Sequence, residues 1–206
     1  AMIYEMRTYN LKPKALAEVE KRFGEAYEKR KQFSPIAASW HTEIGPLNQI
    51  VQLWPYADLQ ERNKVRAEVA KAGGWPPEIR EYIVSMSSDI MIPAPFSPPI
   101  QPGKVGPWFE MRTYTYAAGE LPVMMDNWER AIDLRLTISP VTAVMYSEFG
   151  ALNKWIHIWP YRSMEERLAV RDKASATGLW PSAMKAAKEG RPDRKSTRLN
   201  SSHVKR

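Results

Sequence analysis

Two carboxylate–guanidinium pairs and two histidines are the residues of this sequence best suited to chemistry. Glu5 and Arg7 stand two apart in Tyr4-Glu-Met-Arg-Thr-Tyr9, so on an extended strand they share one face, about 7 Å apart. Such a pair could clamp an anionic substrate, the carboxylate tuning the guanidinium. It could equally be part of an ion-pair network closed by Glu43. Phe109-Glu-Met-Arg-Thr-Tyr114 repeats the stretch 105 residues later, so Glu110, Arg112 and Glu148 reproduce the set. A reaction centre has little use for two identical copies, which favours the structural role.

The histidines differ between the copies. His41 aligns with Tyr146, and Gln52 aligns with His157; the third histidine, His203, lies near the C-terminus. A histidine beside a carboxylate can serve as a general base near neutral pH, and His41 with Glu43 is such an arrangement. In that reading His41, Arg7 and Glu43 are the catalytic candidates. In the plainer reading His41 is hydrogen-bonded within a polar interior. Tyr9, Gln52, Trp54, Arg112, Tyr114, Tyr146, Trp155 and His157 are the candidate ligand-lining residues. A metal centre needs three or four converging ligands, so none is expected. No GxGxxG, Walker, HExxH or GxSxG motif is present.

The elements that must position these residues follow from periodicity. Residues 3–9 alternate as a strand, with Tyr4, Met6 and Thr8 on one face and Glu5, Arg7 and Tyr9 on the other. Lys12-Pro13 opens a helix expected to run to about Phe33, its apolar stripe formed by Leu16, Val19, Phe23, Ala26 and Tyr27. Strands are expected at about Ile36–Ile44 and Asn48–Tyr56, joined by a turn at Gly45-Pro46. Asp58-Leu-Gln-Glu61 has the spacing of a capping box and starts a second helix, ended by Gly73-Gly74. Val84 to Ile92 reads as a fourth strand. The order β-α-β-β-α-β is the ferredoxin-like unit.

Residues 93–107 hold six prolines and two glycines, as an extended linker would. The unit then begins again at Trp108 and keeps the same register without a gap. Ser139-Pro140 repeats Ser34-Pro35, Trp159-Pro-Tyr161 repeats Trp54-Pro-Tyr56, and Ser163-Met-Glu-Glu166 is another capping box. The expected units are therefore 2–92, a linker at 93–107, and 108–190. The fourth strand of the second copy would fall on Ala187 to Thr197, which carries no strand pattern, so that copy is expected to lack it. The sheet edge left unpaired could promote association.

The net charge of +7 does not mark a nucleic-acid binder. Residues 191–206 carry six Lys or Arg and one Asp, a net of +5, which leaves +2 for all the rest. Asp193 to His203 also reads, codon by codon, as the translation of a DNA sequencing adaptor. Residues 191–206 are thus expected to be a disordered, non-native tail. The absence of cysteine excludes disulfides, thiolate nucleophiles and Cys-ligated zinc. No apolar run reaches membrane-spanning length, so no membrane insertion is expected.

A ferredoxin-like unit covers one sheet face with helices and leaves the other bare, to be covered by the second unit. On strand alternation, Ile156 and Ile158 are assigned to the helix side. The inward, inter-repeat side is assigned Glu5, Arg7, Tyr9, His41, Glu43, Ile50, Gln52 and Trp54, with Glu110, Arg112, Tyr114, Tyr146, Glu148, Trp155, His157 and Trp159. That interior would be aromatic and studded with charge, to be satisfied internally or by a ligand.

The E-x-R-T-Y openings, G-x-L-N turns, W-P-Y strand ends and the P-F-S-P at 95–98 resemble the NIPSNAP family, over about residues 2–186. The resemblance implies the α+β fold of the dimeric α+β barrel superfamily, two tandem ferredoxin-like repeats forming a barrel either within one chain or between chains. For function it implies little, and the interior read above is expected to bind a small, partly apolar ligand between the two sheets. It also allows a cofactor-independent monooxygenase, isomerase or dehydratase acting on a small carbonyl or phenolic compound, or a protein-interaction module. No cofactor is expected; haem through His157 enters by superfamily analogy alone. A homo-oligomer and a bacterial, cytoplasmic setting complete the expectation.

Overall fold

The first strand, β1 (Ile3–Leu11), is buried at Ile3 to Met6, Tyr9 and Leu11, so both of its faces are covered, and the computed structural model describes residues 2–100 and 105–180. Helix α1 (Leu16–Arg30) begins later than the Pro13 signal suggests. Lys12 to Ala15 forms a turn, closed by the Ala15 N–H on the Lys12 carbonyl at 3.2 Å, with Lys14 at φ 69°. Strand β2 (Ala38–His41) is shorter than expected because Thr42 already belongs to the turn into β3 (Gln49–Tyr56). There the Thr42 N–H donates to the Gln49 carbonyl, and the Gln49 N–H donates to Thr42 Oγ1.

The capping spacing is realised at both predicted positions. Asp58 accepts from the Glu61 N–H to start α2 (Leu59–Ala72), and Ser163 accepts from the Glu166 N–H to start α4 (Met164–Ala176). A short 3-10 turn at Arg80–Tyr82 leads into β4 (Ile83–Pro93). The second repeat supplies β5 (Trp108–Thr115), α3 (Leu121–Leu136), β6 (Ala143–Phe149) and β7 (Lys154–Tyr161). The expected absence of a closing strand near 187–197, and the tail, lie outside the described residues.

The seven strands among the described residues join one antiparallel sheet in the order β2-β3-β1-β4-β6-β7-β5. Within the first repeat, β2-β3-β1-β4 is the ferredoxin-like order. The repeats join edge to edge where β4 pairs with β6, through an irregularity between Ile90 and Met91. Ala94 to Pro98 then crosses onto repeat two, with the Ala94 N–H donating to the Val144 carbonyl and the Val144 N–H to Ser97 Oγ. Phe96 packs there among Trp128 and Trp155.

The sheet curls until its two ends meet. One core cluster draws Trp40 from β2 and Phe109 and Met111 from β5, together with Tyr4, Met6, Leu53, Met91, Met145, Ile156 and Ile158 from the strands between. Every residue of that core points to the concave side, so it is the inter-repeat interior. It is apolar, and this reverses the expected assignment of faces. Ile156 and Ile158 face the interior, whereas Tyr9, Ile50, Trp54, Trp155 and Trp159 pack in the clusters beneath the helices. Glu5, Arg7, Gln52, Glu110, Arg112 and His157 share that helix-covered face by alternation and register. The physical reason is partner supply. A carboxylate on the helix side can be reached by long arginine side chains that keep their heads near water, while the concave side offers only other strands.

Candidate functional site

Under α2, the Glu5 carboxylate is fully buried and gathers cations from two elements. Arg7 Nη1 donates to Oε1 at 2.8 Å, Arg62 Nε donates to Oε2, and Arg66 Nη1 lies 3.7 Å from Oε1. Burial works to raise this carboxyl, but the bonds from Arg62 and Arg7 outweigh it and hold it below its ordinary value. Arg7 also donates through Nε to the Tyr9 hydroxyl at 3.0 Å. Arg30, from the end of α1, donates to Ser34 and to the Tyr56 hydroxyl, with its guanidinium 4.2 Å from the Trp54 ring.

Repeat two rebuilds the cluster position for position. Glu110 accepts from Arg112 Nη1 at 2.9 Å and from Arg167 Nε, and Arg171 Nη1 lies 3.6 Å away. Arg112 reaches the Tyr114 hydroxyl, and Arg135 donates to Ser139 with its guanidinium 4.1 Å from Trp159. Sequence reasoning found Glu5, Arg7, Glu110 and Arg112 and missed the other arginines. The same 105-residue offset could have found them, since Arg30, Arg62 and Arg66 recur as Arg135, Arg167 and Arg171. Glu43 and Glu148 do not close the network as expected.

His41 stands apart from Arg7. Its Nδ1 lies 2.6 Å from Glu20 Oε1 on α1, and its Nε2 lies 2.6 Å from Glu43 Oε1. Both ring nitrogens of His41 are thus engaged by carboxylates, and the three groups occupy one another rather than a common metal position. Glu20 was not anticipated from sequence, because the solvent-side charges of α1 give no sign of which one bends toward β2.

The remaining candidates of repeat two gather under α3. His157 Nδ1 accepts from Trp159 Nε1 at 2.6 Å, and the ring stacks on Tyr114 and lies 4.6 Å from Trp128. Burial, reinforced by Arg112, Arg135 and Arg171, holds His157 well below the ordinary histidine value, so it is neutral. Trp155 is fully buried against Phe96 and Trp128, and Tyr146 packs on the same cluster. In repeat one, Gln52 Oε1 accepts from Trp54 Nε1 at 3.1 Å. With Tyr114, Trp128 and Trp159 packed around it, His157 has no open face for a porphyrin, and the site does not fit haem.

Two openings reach the concave core. At the seam, a cavity of about 10 Å³ lined by Trp40, His41, Phe109 and Met111 has room for about one water. At one end of the sheet, an open groove of about 300 Å³ is lined by Met2, Tyr4, Ile92, Pro93, Ser97, Pro98 and Pro99. No helix among the described residues is long and apolar enough to cross a membrane.

Comparison with solved structures supports this fold. A candidate monooxygenase from Fusobacterium nucleatum aligns with a TM-score of 0.68 at 9% identity, over 99% of this chain and 93% of its own. A second such protein, from Lactobacillus acidophilus, aligns with a TM-score of 0.64 at 12% identity, over 98% and 92%. Likeness at that identity extends to the fold alone. Among curated proteins, the NipSnap homolog of Dictyostelium discoideum is 28% identical over 188 residues, 86% of this chain and 78% of that protein. The NIPSNAP family profile matches residues 4–98 and 109–199, one match for each repeat. With both repeats matched, the chain belongs to the NIPSNAP family.

Proposed function

We propose that this NIPSNAP chain binds a small, partly apolar ligand between its two half-sheets, admitted at the groove beside Tyr4. The groove carries the reading. Its volume, about 300 Å³, is at the lower bound of small-molecule sites, and its lining is apolar with few polar groups. Tyr4 belongs both to the groove and to the concave core, where Met6, Met91, Met111 and Met145 follow it. Methionine side chains repack readily around an irregular guest. Burial pushes the Tyr4 phenol up, so it offers a neutral hydroxyl.

Native mass spectrometry of the purified chain tests this. The expected result is an added mass that disappears on denaturation, and that Pro99→Trp, which fills the exposed lip of the groove, removes. A chain that carries no adduct after exposure to a cell extract would overturn it and favour work done by the outer surface.

A further inference from the structure

The helix side of repeat two holds more hydrogen-bond donors and more positive charge than its described residues can use. Among the described residues, the buried side-chain polar atoms without a partner in this repeat are Asn127 Nδ2, Arg135 Nε, Trp155 Nε1 and His157 Nε2. Three are obligate donors. His157 Nε2 is a donor too, because Nδ1 accepts from Trp159 and a neutral ring then carries its proton on Nε2. Among the described residues no buried side-chain acceptor is left over to match them. Repeat one has a single such orphan, Trp40 Nε1, and that lies in the concave core.

Charge points the same way. Arg112, Arg167 and Arg171 gather on Glu110, three guanidinium groups against one carboxylate, Arg135 adds a further positive charge nearby, and Arg112, Arg135 and Arg171 all act on His157. Leaving buried donors and cations uncompensated is costly. Arg171, with its side chain 44% exposed, forms the solvent edge of the cluster, while Arg135 and His157 are 3% and 4% exposed. An acceptor-only, negatively charged group matches both excesses.

We infer that Arg135, His157 and Arg171 together form a binding site for a small oxyanion, the phosphate or carboxylate group of a ligand. The Arg135 Nε–H and His157 Nε2–H donate from beneath, and Arg171 closes over it from α4. Gln52 stands where His157 would be in repeat one, so the duplicated cluster there is the framework without the site.

Calorimetric titration of the full chain with sodium phosphate, and separately with sodium acetate, at ionic strength fixed with sodium chloride, tests this. One anion should bind per chain, with affinity at least tenfold weaker in Arg171→Gln and within twofold of the parent in Arg66→Gln. Both replaced side chains are partly exposed, and circular dichroism checks that each variant folds. The nitrogen resonance of His157 Nε2 should move with the same saturation. Binding of phosphate alone assigns a phosphorylated ligand, and binding of both assigns a site that also takes carboxylates. No saturable binding of either anion, retained binding in Arg171→Gln, or equal loss in Arg66→Gln overturns the inference. Pro99→Trp, at the groove of the proposed function, should leave this titration unchanged, so the two readings fail separately.

Discussion

Trp40 and Phe109 meet with ring centroids 5.5 Å apart, although they belong to the two strands at opposite ends of the sheet order. That contact closes the curl. Both rings are nearly buried, at 3% and 4% exposure, on the concave side. Replacing either by alanine should cost about 3–5 kcal/mol of unfolding free energy. A double-mutant cycle from urea denaturation should add a coupling of about 0.5–1.5 kcal/mol. Additive losses would mean that the sheet ends close without help from this pair.

His157 makes stability depend on pH. Its folded form binds its proton well below the ordinary value, whereas the unfolded chain binds it near pH 6.5. Below about pH 6.5 the unfolded state therefore holds one more proton, and stability falls as the pH falls, by about 1.4 kcal/mol per unit at most. Denaturation midpoints at pH 7.5, 6.5 and 5.5 should show the decline. His157→Gln, which copies Gln52 of repeat one, should flatten it over that window.

The turn between β6 and β7 admits only glycine at residue 150. Its φ is 98°, and a Cβ placed there would come within 1.8 Å of Asp89 Oδ1, the atom that accepts the Ala151 N–H. Gly150→Ala should cost about 1–3 kcal/mol. Gly119→Ala, also at positive φ but with nothing within 4 Å, should cost less. Thermal unfolding of the two variants side by side checks the order. An equal loss would place the cost in the backbone alone.

Repetition at a fixed offset determined most of the fold from sequence. Each helix, hairpin turn and strand of the first repeat except β4 has its counterpart 105 residues on, and two independent copies of a weak signal make a strong one. Alternation likewise determined which residues share a face: Glu5 with Arg7 and Tyr9, and Trp155 with His157 and Trp159. What alternation leaves open is which of the two faces lies inside, because a period of two is unchanged when the faces are exchanged. Only tertiary structure decided that. The charged set needed partners, and these come from residues 57 and more positions away, Arg62 for Glu5 and Arg167 for Glu110. They are brought into reach by helices that pack on one side of the sheet. The apolar set needed none, so it took the concave side, where curling the sheet buries strand against strand and leaves no route for water to a charge.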